Sequence, residues 1–307
     1  MGFLRLLESI RVPALDVLMQ AVTECGGEVV FMVLAVAVFW CVNKRCGYYI
    51  FTVGFFGIII NQFLKLTFRI PRPWVLDPNF TIVESARADA TGYSFPSGHT
   101  QNAVGTFGGI ARFTKNRWVR IVCIVLAVLI PFSRMYLGVH TPLDVGVSFL
   151  VALTLIFALY PLFSSDERQS RVMWYVLTAV IVLAAAYLVF VLAYAFPADV
   201  DAENLAHGTK TAFTMAGAVL GLLLVYAVDR YKLHFETKAP FAGQLLKLVL
   251  GLALVLVIKA GLKAPLHALF DGSYVADMVR YFLMVVFAGC VWPMTFPLFA
   301  RIGKKRA

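Results

Sequence analysis

The chain has 307 residues, of which 61% are hydrophobic and only 14% are charged. This balance is too apolar for a water-soluble globular domain and predicts an integral membrane protein. The formal net charge is +10, but the basic residues gather at the ends of the apolar segments, so the charge does not indicate a nucleic-acid partner.

The first segment, residues 1–24, mixes charged and apolar side chains and predicts an amphipathic helix on the membrane surface. After it, about nine apolar runs approach the ~20 residues that a helix needs to cross a bilayer. They cover residues 27–43, 47–66, 98–113, 119–136, 143–163, 172–196, 211–228, 245–262 and 279–299. The predicted fold class is therefore all-α, a polytopic transmembrane helix bundle.

The basic residues also predict the orientation of this bundle. With the spans threaded in order, 16 of the 27 Lys and Arg residues fall in the segments 44–45, 112–120, 168–171 and 230–247 and at the C-terminus. Positive charge marks the cytoplasmic side of a membrane. We therefore expect a cytoplasmic C-terminus, while the loops around residues 67–97 and 137–142 face outward.

Three short motifs stand at the outward ends of the predicted spans. They are Lys65-x6-Arg72-Pro73, Pro96-Ser97-Gly98-His99 and Ser133-Arg134-x5-His140-x3-Asp144. Together they supply cations, a hydroxyl group, a glycine, two histidines and a carboxylate. These are the groups needed to hold a phosphate and to break its ester bond through a histidine.

Two of the motifs coincide with predicted helix starts. Ser97 fits the N-cap of the span that follows it, where exposed backbone N–H groups can meet a phosphate. Thr141 fits the N-cap of a later span. Asp144 then lies four residues after His140 and is expected to reach its imidazole.

Phosphoryl transfer depends on positioning and on fixed donors around the phosphoryl oxygens. The candidate donors are Lys65, Arg72, Ser97, the N–H of Gly98 and Arg134. A neutral imidazole whose other nitrogen faces a carboxylate suits a nucleophile, which fits His140 with Asp144. His99 suits the general acid. The sequence has no carboxylate cluster beside these groups, so we predict neither a metal nor a cofactor.

The three motifs resemble those of the type-2 phosphatidic acid phosphatase superfamily, which shares an all-helical core with vanadium haloperoxidases and glucose-6-phosphatase. The resemblance covers residues 25–163 with no substitution at the defining positions. It implies a haloperoxidase-like core and a metal-independent phosphatase with a phosphohistidine on His140. It also implies that His99 acts as acid and base and that vanadate mimics the transition state.

The segments then divide into an interfacial part (1–24), a phosphatase core (25–170) and additional C-terminal transmembrane helices (171–307). Proteins similar to glucose-6-phosphatase commonly lack the aspartate found here as Asp144. We therefore expect a phosphatase of lipid or polyprenyl (di)phosphates, working on the extracytoplasmic face of a bacterial cell membrane, with the bilayer and its lipid substrate as partners.

Two alternatives stay open at this point. One is a phosphatase of a soluble phosphomonoester such as a sugar phosphate. The other is a lipid carrier that uses the motifs as a headgroup site, which is disfavoured because the later spans contain few charges. The sequence leaves open the substrate itself, the oligomeric state, the organism and the role of the additional helices.

Overall fold

Helices build the part of the chain that the computed structural model describes, residues 1–302, and no strand occurs in that range. The predicted all-α fold is confirmed. The α-helices are α1 (Gly2–Ser9), α2 (Pro13–Glu24), α3 (Glu28–Ala37), α4 (Lys44–Phe68), α5 (Pro73–Leu76), α6 (Gly98–Ala103), α7 (Gly109–Phe113), α8 (Arg117–Tyr136), α9 (Pro142–Leu159), α10 (Asp166–Ala193), α11 (Ala202–Val228), α12 (Phe241–Gly261), α13 (Lys263–Leu269), α14 (Val275–Val286) and α15 (Phe296–Phe299). Lys304, Lys305 and Arg306, part of the predicted cytoplasmic tail, lie outside the described residues.

Short turns of other helical types extend or join these helices. Wider π-helical turns cover Val38–Val42, Val104–Gly108, Asp229–Leu233 and Phe287–Val291. Tighter 3-10 turns cover Glu84–Ala86, Tyr160–Phe163 and Trp292–Thr295. Since π-turns are rare and often lie near functional sites, the turn at Val104–Gly108, directly after α6, is notable.

Seven helical stretches within residues 1–302 are long and apolar enough to cross a membrane. They are Lys44–Leu76, Arg117–Tyr136, Pro142–Phe163, Asp166–Ala193, Ala202–Leu233, Phe241–Leu269 and Val275–Phe299. A bent pair, Pro13–Glu24 with Glu28–Val42, turns by 48° and raises the number to 8 if it forms one span. The prediction of about nine spans is close to this result. The predicted span at 98–113 is the main difference: α6, the π-turn and α7 form one continuous helical run there, but it is shorter than the ~20 residues that a helix needs to cross a bilayer.

The chain forms two compact units that are interleaved along the sequence. The first contains Met1–Ala35, Tyr49–Gln169 and Ala195–Gly208, and the second contains Val36–Tyr48, Ser170–Tyr194 and Thr209–Ala307. All predicted site residues belong to the first unit.

In the first unit, α8 has one buried face and one exposed face. Its buried face joins a cluster of apolar side chains from α6, α7 and the π-turn between them: Ala103, Phe107, Ala111, Cys123, Ala127 and Ile130. The opposite face exposes Trp118, Val122 and Val125. An exposed row of large apolar side chains on a spanning helix is typical of a surface in contact with lipid. The buried face of α8 therefore places Arg134, one turn after Ile130, inside the unit.

The N-terminal segment contains two helices where the sequence predicted one. Pro13 starts α2 at its first helical position, where its missing N–H is not needed. The first helix, α1, buries Leu4 and Leu7, while α2 buries Met19 and Thr23. The two helices are amphipathic, as expected, and their buried faces pack within the first unit.

The second unit relies on close contacts between helices and on a buried ion pair. A side chain at Gly217 would collide with the backbone carbonyl of Met278, and small residues of this kind let membrane helices approach each other. Lys44 Nζ lies 2.9 Å from Asp229 Oδ2, and the Asp229 carboxylate is buried. Burial of this carboxylate is tolerated because the charge has a direct partner.

Candidate active site

A cavity of about 610 Å³ opens within the first unit and is lined by five of the eight predicted site residues. Those lining it are Lys65, Arg72, Gly98, His99 and His140. The other predicted site residues are Ser97, Arg134 and Asp144, each at most 1% exposed. The three sequence motifs thus come together in one place.

Both predicted helix caps are confirmed. Ser97 Oγ accepts a hydrogen bond from the backbone N–H of Thr100 and so caps α6. Thr141 caps α9 in a reciprocal capping box: its Oγ1 accepts from Asp144 N at 3.2 Å, and Asp144 Oδ2 accepts from Thr141 N at 2.7 Å. The two helix starts are also joined, because Ser97 N donates to the carbonyl of Asp144 at 3.1 Å. The capping box holds the Asp144 carboxylate beside the segment that precedes the helix cap.

That preceding segment contains His140, and the carboxylate faces its ring. The distance from His140 Nδ1 to Asp144 Oδ2 is 3.5 Å, and both side chains are buried. The same oxygen accepts a hydrogen bond from Ser94 Oγ at 2.5 Å. The separation from the imidazole is longer than an ordinary hydrogen bond, as catalytic pairs often are without substrate.

The other nitrogen of the imidazole faces Arg72. Arg72 Nη1 lies 2.9 Å from His140 Nε2 and also donates to the carbonyl of Val139 at 2.9 Å. Because a guanidinium has only donors, Nε2 must present its lone pair, and Nδ1 then has the hydrogen that points towards Asp144. Arg72 is further held by the carbonyls of Gly92 at 2.9 Å and Thr91 at 2.7 Å.

The surroundings of His140 also determine its charge. Burial lowers the pKa of His140 well below its ordinary value, and the positive charges of Arg72, Arg134 and Lys65 lower it further. The imidazole is therefore neutral at neutral pH, and its Nε2 lone pair accepts from Arg72.

The two other cations are held in different ways. Lys65 Nζ donates to the carbonyl of Tyr93 at 2.5 Å, so this cation is fixed by the loop before α6. Arg134 donates from Nη1 to Thr23 Oγ1 at 2.9 Å, whereas its Nε and Nη2 are buried without a hydrogen-bond partner. Unpaired N–H groups on a buried guanidinium are costly. They mark a place where an anion would supply the missing acceptors.

Gly98 contributes empty space. A Cβ atom built on Gly98 would meet its nearest neighbour, Asn61 Oδ1, at 4.0 Å. Packing within the protein therefore does not require a glycine here. The space belongs to the cavity that Gly98 lines together with His99.

The walls of the cavity have distinct chemistries. Val29, Val30 and Leu66 form an apolar part, and Glu24 and Asp89 are acidic residues of the lining. Among the described residues, no group of three or more His, Cys, Asp or Glu side chains is arranged to hold a metal ion.

Sequence reasoning missed several residues that contact predicted site residues, and two of them form hydrogen bonds between side chains. Ser94 lies in the long loop before α6, where no periodicity indicates which side chains point inward, and it donates to Asp144. Thr23 lies in the segment interpreted as a surface helix, and it accepts from Arg134 across 111 residues of sequence. No local pattern in the sequence could reveal either contact.

Comparison with known proteins places these observations in a family. Residues 45–168 match the model of the PAP2 superfamily, and residues 213–305 match the transmembrane extension of PAP2 superfamily phosphatases. Undecaprenyl-diphosphatase BcrC of Bacillus subtilis is 32% identical over 149 residues, which cover 48% of this chain and 74% of that relative.

Two further relatives extend this comparison. Phosphatidylglycerophosphatase B of Bacillus subtilis is 28% identical over 53% of this chain and 80% of its own length. Sphingosine-1-phosphate phosphatase 1 of Mus musculus is 26% identical over 77% of this chain and 57% of its own length. No solved structure is significantly similar to the chain. With the three motifs assembled around one cavity and both family models matched in order, the chain belongs to the PAP2 superfamily of membrane phosphatases.

Proposed function

We propose that this chain hydrolyses the phosphate or diphosphate group of a membrane lipid or polyprenyl compound by transferring the phosphoryl group to His140. The observation that carries the proposal is the setting of the His140 ring, with Nε2 against Arg72 at 2.9 Å and Nδ1 facing Asp144 at 3.5 Å. This setting favours the tautomer whose Nε2 lone pair can attack phosphorus.

The reaction has two steps. His140 Nε2 bonds to phosphorus as the bond from phosphorus to the leaving oxygen breaks, and His99 gives that oxygen a proton. Asp144 stabilises the positive imidazole ring that forms. Water, which gives a proton to His99, then attacks phosphorus as the bond from phosphorus to His140 Nε2 breaks, and inorganic phosphate leaves. The proposed donors around the phosphoryl oxygens are Lys65, Arg72, Ser97, Gly98 N–H and Arg134.

Three observations support a lipid substrate. The cavity has an apolar part, Val29, Val30 and Leu66, beside its cations, which suits a phosphate joined to a hydrocarbon chain. The relatives are named as phosphatases of undecaprenyl diphosphate, of phosphatidylglycerophosphate and of sphingosine 1-phosphate. The helices long and apolar enough to span a membrane support access of a lipid to this site.

The distribution of Lys and Arg supports an extracytoplasmic active site and a cytoplasmic C-terminus, and the Bacillus subtilis relatives support a bacterial cell membrane. Cysteine labelling tests this orientation. An impermeant thiol reagent added to intact cells should label a cysteine introduced in place of Asp199 and should not label one in place of Asp166. The reverse result contradicts the proposed orientation.

Phosphate release by the purified protein in detergent tests the reaction. We expect hydrolysis that survives EDTA, because the proposed donors are N–H and O–H groups of the protein, and that is lost in His140→Ala and His99→Ala. His234→Ala, a histidine substitution in the second unit, is the matched control and should retain activity. Unchanged hydrolysis in both site variants contradicts the mechanism, and loss of activity with EDTA contradicts metal independence.

The same assay distinguishes the substrate classes. The panel is undecaprenyl diphosphate, phosphatidic acid, phosphatidylglycerophosphate, sphingosine 1-phosphate and glucose 6-phosphate. We expect turnover of lipid substrates, and hydrolysis of the sugar phosphate alone would contradict this choice.

A further inference from the structure

Arg134 is the most deeply buried cation of the site, and its only hydrogen-bond partner among the described residues is Thr23. Both side chains are 0% exposed. The bond from Arg134 Nη1 to Thr23 Oγ1 is 2.9 Å long, while Nε and Nη2 have no partner. The one satisfied donor of this guanidinium is thus tied to α2.

We propose that Thr23 is a positioning residue that holds the Arg134 guanidinium so that Nε and Nη2 remain directed at the phosphoryl group. This proposal rests on the proposed function. The proposal adds a residue of α2 to the phosphate site, although α2 lies outside residues 45–168, which match the family model. The N-terminal segment is then a part of the phosphate site in this chain.

The geometry of a guanidinium explains why one acceptor is enough. Its donors lie in a single plane in a fixed fork. When one terminal N–H is bound at a fixed point, rotation of the plane about the side-chain torsions is restricted. The two remaining groups then keep one direction without forming bonds of their own, which lowers the cost of ordering the site when phosphate binds.

The turn after α2 brings Thr23 close to α8. Gly26 packs so tightly that a Cβ atom there would lie 2.5 Å from Ile130 Cγ2. Ile130 is four residues before Arg134, so both lie on the same face of α8. Gly26 therefore permits the close approach of the two helices that puts Thr23 Oγ1 within reach of the guanidinium.

The same segment continues into the wall of the cavity. Glu24, Gly27 and Glu28 line it together with Val29 and Val30. A movement of α2 would therefore change the position of Arg134 and the shape of the cavity together. If Thr23 only satisfied its own hydrogen bond, replacing it would not change the affinity for phosphate.

Variants at Thr23 separate positioning from packing. Thr23→Val keeps the shape of the side chain and removes the acceptor, whereas Thr23→Ser keeps the acceptor. Thr214→Val is the control, because Thr214 is also buried but donates to the Lys210 carbonyl in the second unit. The measurements are kcat, KM, the inhibition constant of vanadate, and the melting temperature.

We expect Thr23→Val to weaken vanadate inhibition and to lower kcat/KM, each by about tenfold. Thr23→Ser should restore both values to near those of the parent protein. Thr214→Val should leave them unchanged. In an Arg134→Ala background, Thr23→Val should have no further effect on vanadate inhibition, because the group that it positions is absent.

The outcomes distinguish this proposal from the proposed function. Suppose that the parent protein is active and depends on His140, but vanadate inhibits Thr23→Val as strongly as it inhibits Thr214→Val. The positioning role is then wrong, and the phosphatase mechanism stands. A tenfold loss in Thr23→Val that Thr23→Ser does not restore also contradicts it. If the parent protein hydrolyses no phosphate ester, the proposed function fails first.

Discussion

Replacing Ser94 by alanine should lower the turnover of this phosphatase although Ser94 does not belong to any of the three motifs. Ser94 Oγ donates to Asp144 Oδ2 at 2.5 Å, and both side chains are at most 1% exposed. The same oxygen faces His140 Nδ1. Without Ser94, the backbone N–H of Thr141 would be the remaining hydrogen-bond donor to this oxygen apart from the His140 ring, among the residues that the structure describes.

The size of the effect follows from the kind of bond that is lost. A hydrogen bond to a charged acceptor contributes about 1.5–3 kcal/mol. If this orientation of the Asp144 carboxylate is needed when the imidazole becomes positive, kcat should fall about 10- to 150-fold. KM should change little, because the interaction is stronger in the transition state than with bound substrate.

Ser148→Ala is the matched control. Ser148 lies on α9 together with Asp144 and is buried like Ser94. It donates to the backbone carbonyl of Asp144 at 3.0 Å instead of to the carboxylate. Initial rates of phosphate release and melting temperatures should be measured for both variants. The reasoning is refuted if Ser94→Ala and Ser148→Ala have the same kcat at equal fractions of folded protein.

Two further predictions concern the phosphate pocket and pH. Gly98→Ala should fold normally, because the nearest neighbour of the new methyl group would lie 4.0 Å away. The methyl group should occupy the space proposed for the phosphate and weaken vanadate inhibition by about tenfold or more. Unchanged inhibition contradicts the assignment of this space to the phosphate. The pKa of His140 is lowered well below its ordinary value, so the neutral ring persists below ~pH 6.5. The fall of kcat/KM at low pH that is caused by protonation of the enzyme should therefore occur below that pH. The pH dependence of kcat/KM should be measured with substrates whose phosphate groups have different pKa values, because only the enzyme's own titration stays at the same pH. An enzyme titration at pH 6.5 or higher contradicts a neutral His140 nucleophile.

The sequence was sufficient to predict the parts of the site that depend on residue type and local spacing. Ser97 and Thr141 have the residue types and positions of N-caps, and local hydrogen bonds form both caps in the structure. The four-residue spacing between His140 and Asp144 puts the carboxylate against the ring once Thr141 begins the helix. These contacts span few residues, so they can be derived from helix geometry alone.

Other features depend on contacts between distant parts of the chain. The carbonyls of Thr91, Gly92 and Tyr93 that hold Arg72 and Lys65 belong to an irregular loop. No propensity or periodicity predicts where such a loop folds back.

The helix boundaries show the same limit. The predicted span at residues 98–113 is one helical run that changes to a π-turn at Val104–Gly108, and the predicted N-terminal helix is divided before Pro13. Hydropathy detects an apolar run, but it does not detect a change of helical type inside that run.

Chemical trapping of the phosphoryl enzyme tests the central claim most directly. The purified protein should be mixed with a lipid substrate labelled in its phosphoryl group and quenched within the first turnover. We predict a protein-bound phosphate that is labile in acid, stable in base and attached to His140. It should be absent from His140→Ala and present in His234→Ala. Multiple-turnover hydrolysis without any trapped phosphohistidine, or a label on another residue, would contradict the account.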